Sequence, residues 1–113
     1  MNTFKDTDFE TRFEDASRIL KKYPDRIPVI LQKYDEKAPD LDRFKFLASA
    51  DTTIMTLLFH IRKRTKLKPS EAIFLSIDGM MCCTTTMVKE LYETNKDKDQ
   101  FLYIYYSTEN TFG

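Results

Sequence analysis

The chain has 113 residues, of which 42% are hydrophobic and 32% charged, with only 2 Gly and 4 Pro. That is one globular domain, neither disordered nor fibrous. Its 18 basic and 18 acidic residues cancel, which removes the long-range field of a nucleic-acid binder. The longest uncharged stretch, Gly79 to Val88, is half a membrane span, and no apolar run follows a basic start. A soluble, cytoplasmic protein is expected.

Residues 1–8 are polar apart from Met1 and Phe4 and read as a mobile arm or short helix. From Phe9 to Tyr23 the apolar residues Phe9, Phe13, Ala16 and Leu20 recur at helical spacing, which predicts a helix with that stripe buried. Pro24 ends it, because the residue before proline is pushed out of the helical region. Ile27–Lys33 is rich in β-branched residues and reads as a strand, apolar on both faces, and the N-terminal helix is the expected cover for its second face. A loop with Pro39 leads to a second strand, Arg43–Ala48, expected to pair antiparallel with the first.

Thr53 is placed to cap a helix whose core face is Ile54, Leu57, Leu58 and Ile61, and Arg62, Lys63 and Arg64 suit the negative end of its dipole. Ile73–Ile77 reads as a third strand, and Asp78-Gly79 as a tight turn. Thr84 or Thr85 is expected to cap a short helix through Met87, Val88, Leu91 and Tyr92, and Phe101–Tyr106 is the last strand. A hairpin, a crossing helix and a last strand beside the first are the parts of an α+β β-grasp. The expectation is a four-stranded mixed sheet with a central helix and an N-terminal helical extension. The domain spans 9–107, with a tail over 108–113.

Charge is uneven along the chain: residues 1–68 carry a net of +4 and residues 69–113 a net of −4. The two cysteines, Cys82 and Cys83, are adjacent and poorly placed to form a disulfide, which suits a reducing compartment. With Met80 and Met81 they read as soft apolar filling. The one histidine, His60, has neither cysteine near it in sequence, and two glycines are too few for a phosphate-cradling loop. No enzyme activity, metal or cofactor is expected.

The segments KKYPDRIPVI (21–30), IRKR (61–64), ELY (90–92) and FLYIYYS (101–107), with the closing Phe112-Gly113, resemble the autophagy-related ubiquitin-like modifiers. That is the family of GABA-receptor-associated protein and microtubule-associated light chain three. The match is nearly collinear from Phe9 to Gly113, with one small gap before Asp40-Leu41-Asp42. The resemblance implies a ubiquitin-like β-grasp with two N-terminal helices. It also implies lipid conjugation through Gly113 to phosphatidylethanolamine by activating and conjugating enzymes, and a cysteine protease that processes and deconjugates. Glycine suits that chemistry because, lacking a Cβ, its carbonyl enters a narrow channel with little steric cost. A pool on autophagosomal membranes is expected, whether the chain is made mature or trimmed to Gly113.

The resemblance further implies capture of aromatic-x-x-aliphatic motifs in cargo receptors, added as a strand to the hairpin edge. Asp15, Ile19, Pro28, Ile30, Lys45, Leu47 and Phe101 match the family's aromatic pocket. Phe46, Leu57 and Ile61 match the second, aliphatic pocket. Ala48, Ser49, Thr52 and His60 stand there where larger or more apolar residues are usual, so a shallower, more polar pocket is expected. A charged residue in place of Ile30 is expected to abolish peptide binding and spare conjugation. Arg26, Lys45 and Arg64 are expected to meet acids flanking the motif. The basic run Arg62–Lys68 lacks interleaved aromatics, so no nucleic-acid partner is expected. The alternative function is an unconjugated peptide-binding adaptor in vesicle trafficking.

Overall fold

The structure, a computed structural model, describes residues 3–65, 67–68 and 70–108. A 3-10 turn (Phe4–Asp6) precedes helix α1 (Phe9–Lys22), strands β1 (Arg26–Lys33) and β2 (Lys45–Ser49), and helix α2 (Ile54–Lys63). Strands β3 (Phe74–Ile77) and β4 (Met80–Met81), helix α3 (Val88–Asn95) and strand β5 (Leu102–Ser107) complete the order. The strands form one mixed sheet in the order β2-β1-β5-β3-β4, with β1 antiparallel to β2 and parallel to β5. This is the ubiquitin-like β-grasp expected, with five strands instead of four. The extra one, β4, is only two residues long, too short to announce itself by alternation.

Its turn follows from sequence. Asp78 and Gly79 both have positive φ, 50° and 80°, as a two-residue turn between Ile77 and Met80 requires. Thr53 caps α2 as expected, its side chain accepting from the Thr56 N–H. Neither Thr84 nor Thr85 caps α3: its N-cap is Met87. The segment before α3 is engaged with α2 instead, where the Thr86 and Thr84 carbonyls accept from the N–H groups of Ile54 and Met55.

The two faces of β1 are both buried, as its sequence requires. Ile27, Val29 and Leu31 join Ile54, Leu57 and Ile61 of α2 in the larger core. Ile30 lies on the other face with Ala16 of α1, Phe101 and Tyr103, flanked by Phe4 and Ile19. The helix therefore covers the outer face, but of the expected stripe only Ala16 is fully buried. Phe9 and Phe13 are 45% and 41% exposed, while Arg12, Ala16 and Ile19 turn toward the sheet. A buried ion pair sets that rotation: the Arg12 guanidinium is 2.8 Å from the fully buried Asp99 carboxylate and also donates to Tyr103 Oη. Of the two readings of the N-terminal segment, the short helix is the one found, over Phe4–Asp6. The Phe4 ring packs edge-on against Phe101 at 5.1 Å.

Around the β3–β4 turn the expected apolar filling is also absent. Met80, Met81 and Cys83 are exposed, and only Cys82 packs against the core.

Candidate functional site: the free edge of strand β2

Strand β2 lies at the end of the sheet, so among the described residues one row of its backbone groups has no strand partner. Pairing with β1 fixes which side chains flank that edge. Leu47 stands opposite Pro28 and Lys45 opposite Ile30, and directly opposed residues share a face. These four therefore gather on the outer face, where α1 brings Asp15 and Ile19 and the start of β5 brings Phe101. All seven residues expected of the aromatic pocket meet here.

The pocket is closed in this structure. Ile30 and Phe101 are fully buried, and Leu47 is 37% exposed at the rim. Lys45 Nζ lies 5.8 Å from the Phe101 ring centroid and 5.2 Å from that of Phe4, and is held 3.4 Å from Asp15 Oδ2. The burial of Ile30 corrects one expectation. A charge placed there would be stranded in the smaller core and would damage the fold, so Ile30 is no clean probe of binding.

Phe46 and Ala48 point to the opposite face, toward α2. They border a cleft of about 210 Å³ whose other walls are Arg26, Leu47, Ser49, Thr52, Leu57, His60 and Arg64. Ser49, Thr52 and His60 bring polar groups into a wall otherwise built from Phe46, Leu47, Ala48 and Leu57. Ile61 is fully buried behind it and supports the wall without lining the space. Arg26 donates to Ser49 Oγ at 3.3 Å, and Arg64 lies over the Phe46 ring and 3.6 Å from Asp42. Both cations thus sit at the aliphatic end, away from Lys45.

The residue that sequence reasoning missed is Phe4, whose ring packs over Phe101 at this site; a lone aromatic in a polar arm gave too little signal. Gly113 lies outside the described residues. Away from the edge, the two thiols differ in character. Burial pushes Cys82 up to about 11, whereas the exposed Cys83, hydrogen-bonded to Thr85 Oγ1, titrates below its ordinary value.

Comparison with known proteins bears on what this edge is for. The family model described as "Autophagy protein Atg8 ubiquitin like" matches residues 11–113. The chain belongs to the Atg8 family. It is 47% identical over 109 residues to autophagy-related protein 8e of Arabidopsis thaliana, a match covering 96% of this chain and 89% of that protein. It is 47% identical over 106 residues to autophagy-related protein 8 of Mycosarcoma maydis, covering 93% and 90% of the two chains. The crystal structure of Trypanosoma brucei ATG8 superposes with a TM-score of 0.89 at 35% identity, covering 100% of this chain and 99% of that one. This Atg8 family member is therefore an autophagy-related ubiquitin-like protein.

Proposed function

We propose that the chain is a modifier conjugated through Gly113 to phosphatidylethanolamine, and that the β2 edge captures aromatic-x-x-aliphatic segments of cargo receptors. The observation that carries the peptide reading is the placement of the two pockets on opposite faces of the sheet beside one free edge. In an extended strand, side chains three apart point to opposite faces. A motif with anchors at i and i+3, added to β2, sends its aromatic residue to the outer face and its aliphatic residue to the α2 face. The aliphatic cleft lies toward the C-terminal end of β2, so such a segment runs parallel to that strand.

Arg26 and Arg64 suit acidic residues near the aliphatic anchor. Conjugation rests on the family and on Gly113. Its partners in this reading are the activating and conjugating enzymes, a processing and deconjugating cysteine protease, and a phosphatidylethanolamine membrane. The chain is then a substrate and adaptor, not an enzyme, held in the cytoplasm with a lipidated pool on autophagosomal membranes. Nucleic acid is not a partner in this reading, because the basic run Arg62–Lys68 carries no interleaved aromatics for base stacking.

Two experiments test the two halves. Titrating labelled protein with a Trp-x-x-Leu peptide should shift amide resonances of Ile19, Lys45, Leu47 and the α2 residues beside His60; shifts elsewhere would move the site. Incubation with the activating and conjugating enzymes and phosphatidylethanolamine vesicles should yield a lipidated species that a Gly113→Ala variant does not form.

A further inference from the structure

The floor of the aromatic pocket, Ile30 and Phe101, offers no surface to a ligand in the free protein. For an incoming aromatic ring to reach it, something must move. Three things cover it. Helix α1 is fixed by the buried Arg12–Asp99 pair, and by Gln100, whose side chain donates to Ser17 Oγ at 2.7 Å. Lys45 is a long, half-exposed side chain able to swing into solvent. The third cover is Phe4, held on a turn of three residues.

That turn is fastened from outside. Lys5 Nζ meets Asp97 at 3.0 Å with its own side chain 45% exposed, and the Thr3–Asp6 capping contacts are solvent-exposed. Exposed pairs of this kind add little. Phe4 also has a place to go. Beside it lies a cleft of about 420 Å³ bordered by Thr3, Thr7, Leu41 and Phe44, whereas an apolar cavity of about 150 Å³ already holds a benzene ring.

We propose that Phe4 is a resident occupant of the aromatic subsite, which a ligand's aromatic residue must displace from the edge of Phe101. This inference rests on the peptide-capture reading of the β2 edge. Phe4 and the ligand ring compete for the same partners, Phe101 and the Lys45 ammonium. Apparent affinity is then the intrinsic affinity reduced by the fraction of molecules with Phe4 withdrawn. Larger rings, which need more of the vacated space, lose most while Phe4 is in place.

The test is to measure Trp-x-x-Leu and Phe-x-x-Leu peptide affinities for the intact chain and for Phe4→Ala by calorimetry, with melting temperatures alongside. Since an edge-to-face pair is worth about 0.5–1.5 kcal/mol, Phe4→Ala should tighten binding of the Trp peptide about 2- to 10-fold. The same variant should lower the melting temperature, because a native contact is lost. Opposite signs in affinity and stability identify a displaced occupant. Weaker or unchanged binding by Phe4→Ala overturns the proposal and leaves Phe4 a fixed wall of the pocket. No binding of either peptide to either protein overturns the capture reading itself, and the displacement with it. As a second readout, Phe4–Phe101 ring contacts observed by nuclear Overhauser effects should vanish in the peptide-bound protein; their persistence also refutes displacement.

Discussion

Removing Arg12 tests what holds α1 over the sheet. Its guanidinium is 2.8 Å from the Asp99 carboxylate, which is fully buried, and its Nε donates to the Thr7 carbonyl at 3.0 Å. Asp99 also accepts from the Phe101 N–H and from Tyr103 Oη, so it sits at the point where α1, the start of β5 and the aromatic pocket meet. Arg12→Met keeps the aliphatic stem but leaves that carboxylate buried without its counter-ion. Breaking a buried pair in this way costs about 3–5 kcal/mol. Arg12 retains 9% of its surface, which argues for the lower end, about 3 kcal/mol. For a domain of this size that lowers the melting temperature by roughly 10–20 °C. Asp99→Asn should cost less, because the cation left behind has a path to water. The double variant should be milder than the sum of the singles by at least about 1 kcal/mol. Chemical denaturation of the four proteins measures all of this. A loss under about 1 kcal/mol for Arg12→Met, the size of an exposed pair, or simple additivity, would refute the claim that this pair fixes the helix.

Leu47→Asp places a charge on the exposed rim of the aromatic pocket and should weaken Trp-x-x-Leu binding at least about tenfold by calorimetry, with the melting temperature nearly unchanged. Thr53→Ala deletes the α2 cap and should cost about 1 kcal/mol in urea denaturation. Near neutral pH, alkylation followed by mass spectrometry should label Cys83 well before Cys82, since only Cys83 is exposed with a lowered pKa. Folding raises the pKa of Cys82 to about 11 and of Tyr106 to about 12, mainly through burial, and raises Tyr103 too. All three are neutral when protonated. Their contribution is therefore complete below their ordinary values of 9.0 and 10.0 and is lost as pH rises through the folded values. Denaturation midpoints should fall steadily from about pH 9 to pH 12.

Much of this architecture is legible in the chain because it is written in local chemistry. Asp78-Gly79 dictates its own turn, Thr53 its cap, and the unbroken apolar run of β1 demands cover on both faces. The seven residues that the family pattern proposed for an aromatic pocket do gather on one face beside β2, and most of those proposed for the second border the cleft on the other face. Which way α1 faces was legible only in part: Ile19 was expected on the sheet's outer side, where it lies, but Phe9 and Phe13 were expected to be buried and are exposed. Helical periodicity tells which residues share a stripe, but α1 carries apolar residues on two. The choice between them was made by Arg12 reaching Asp99, 87 positions away. The same holds for Phe4, whose place is set by contact with Phe44 and Phe101 from distant parts of the chain. Whether a pocket stands open or shut is likewise a matter of what packs over it, and Lys45, Asp15 and Phe4 meet there only after the sheet has formed. The sequence alone determined the elements and the materials of the site. The tertiary structure decided which faces are buried and what occupies the site, because long-range packing and one buried ion pair outweigh the spacing of apolar residues.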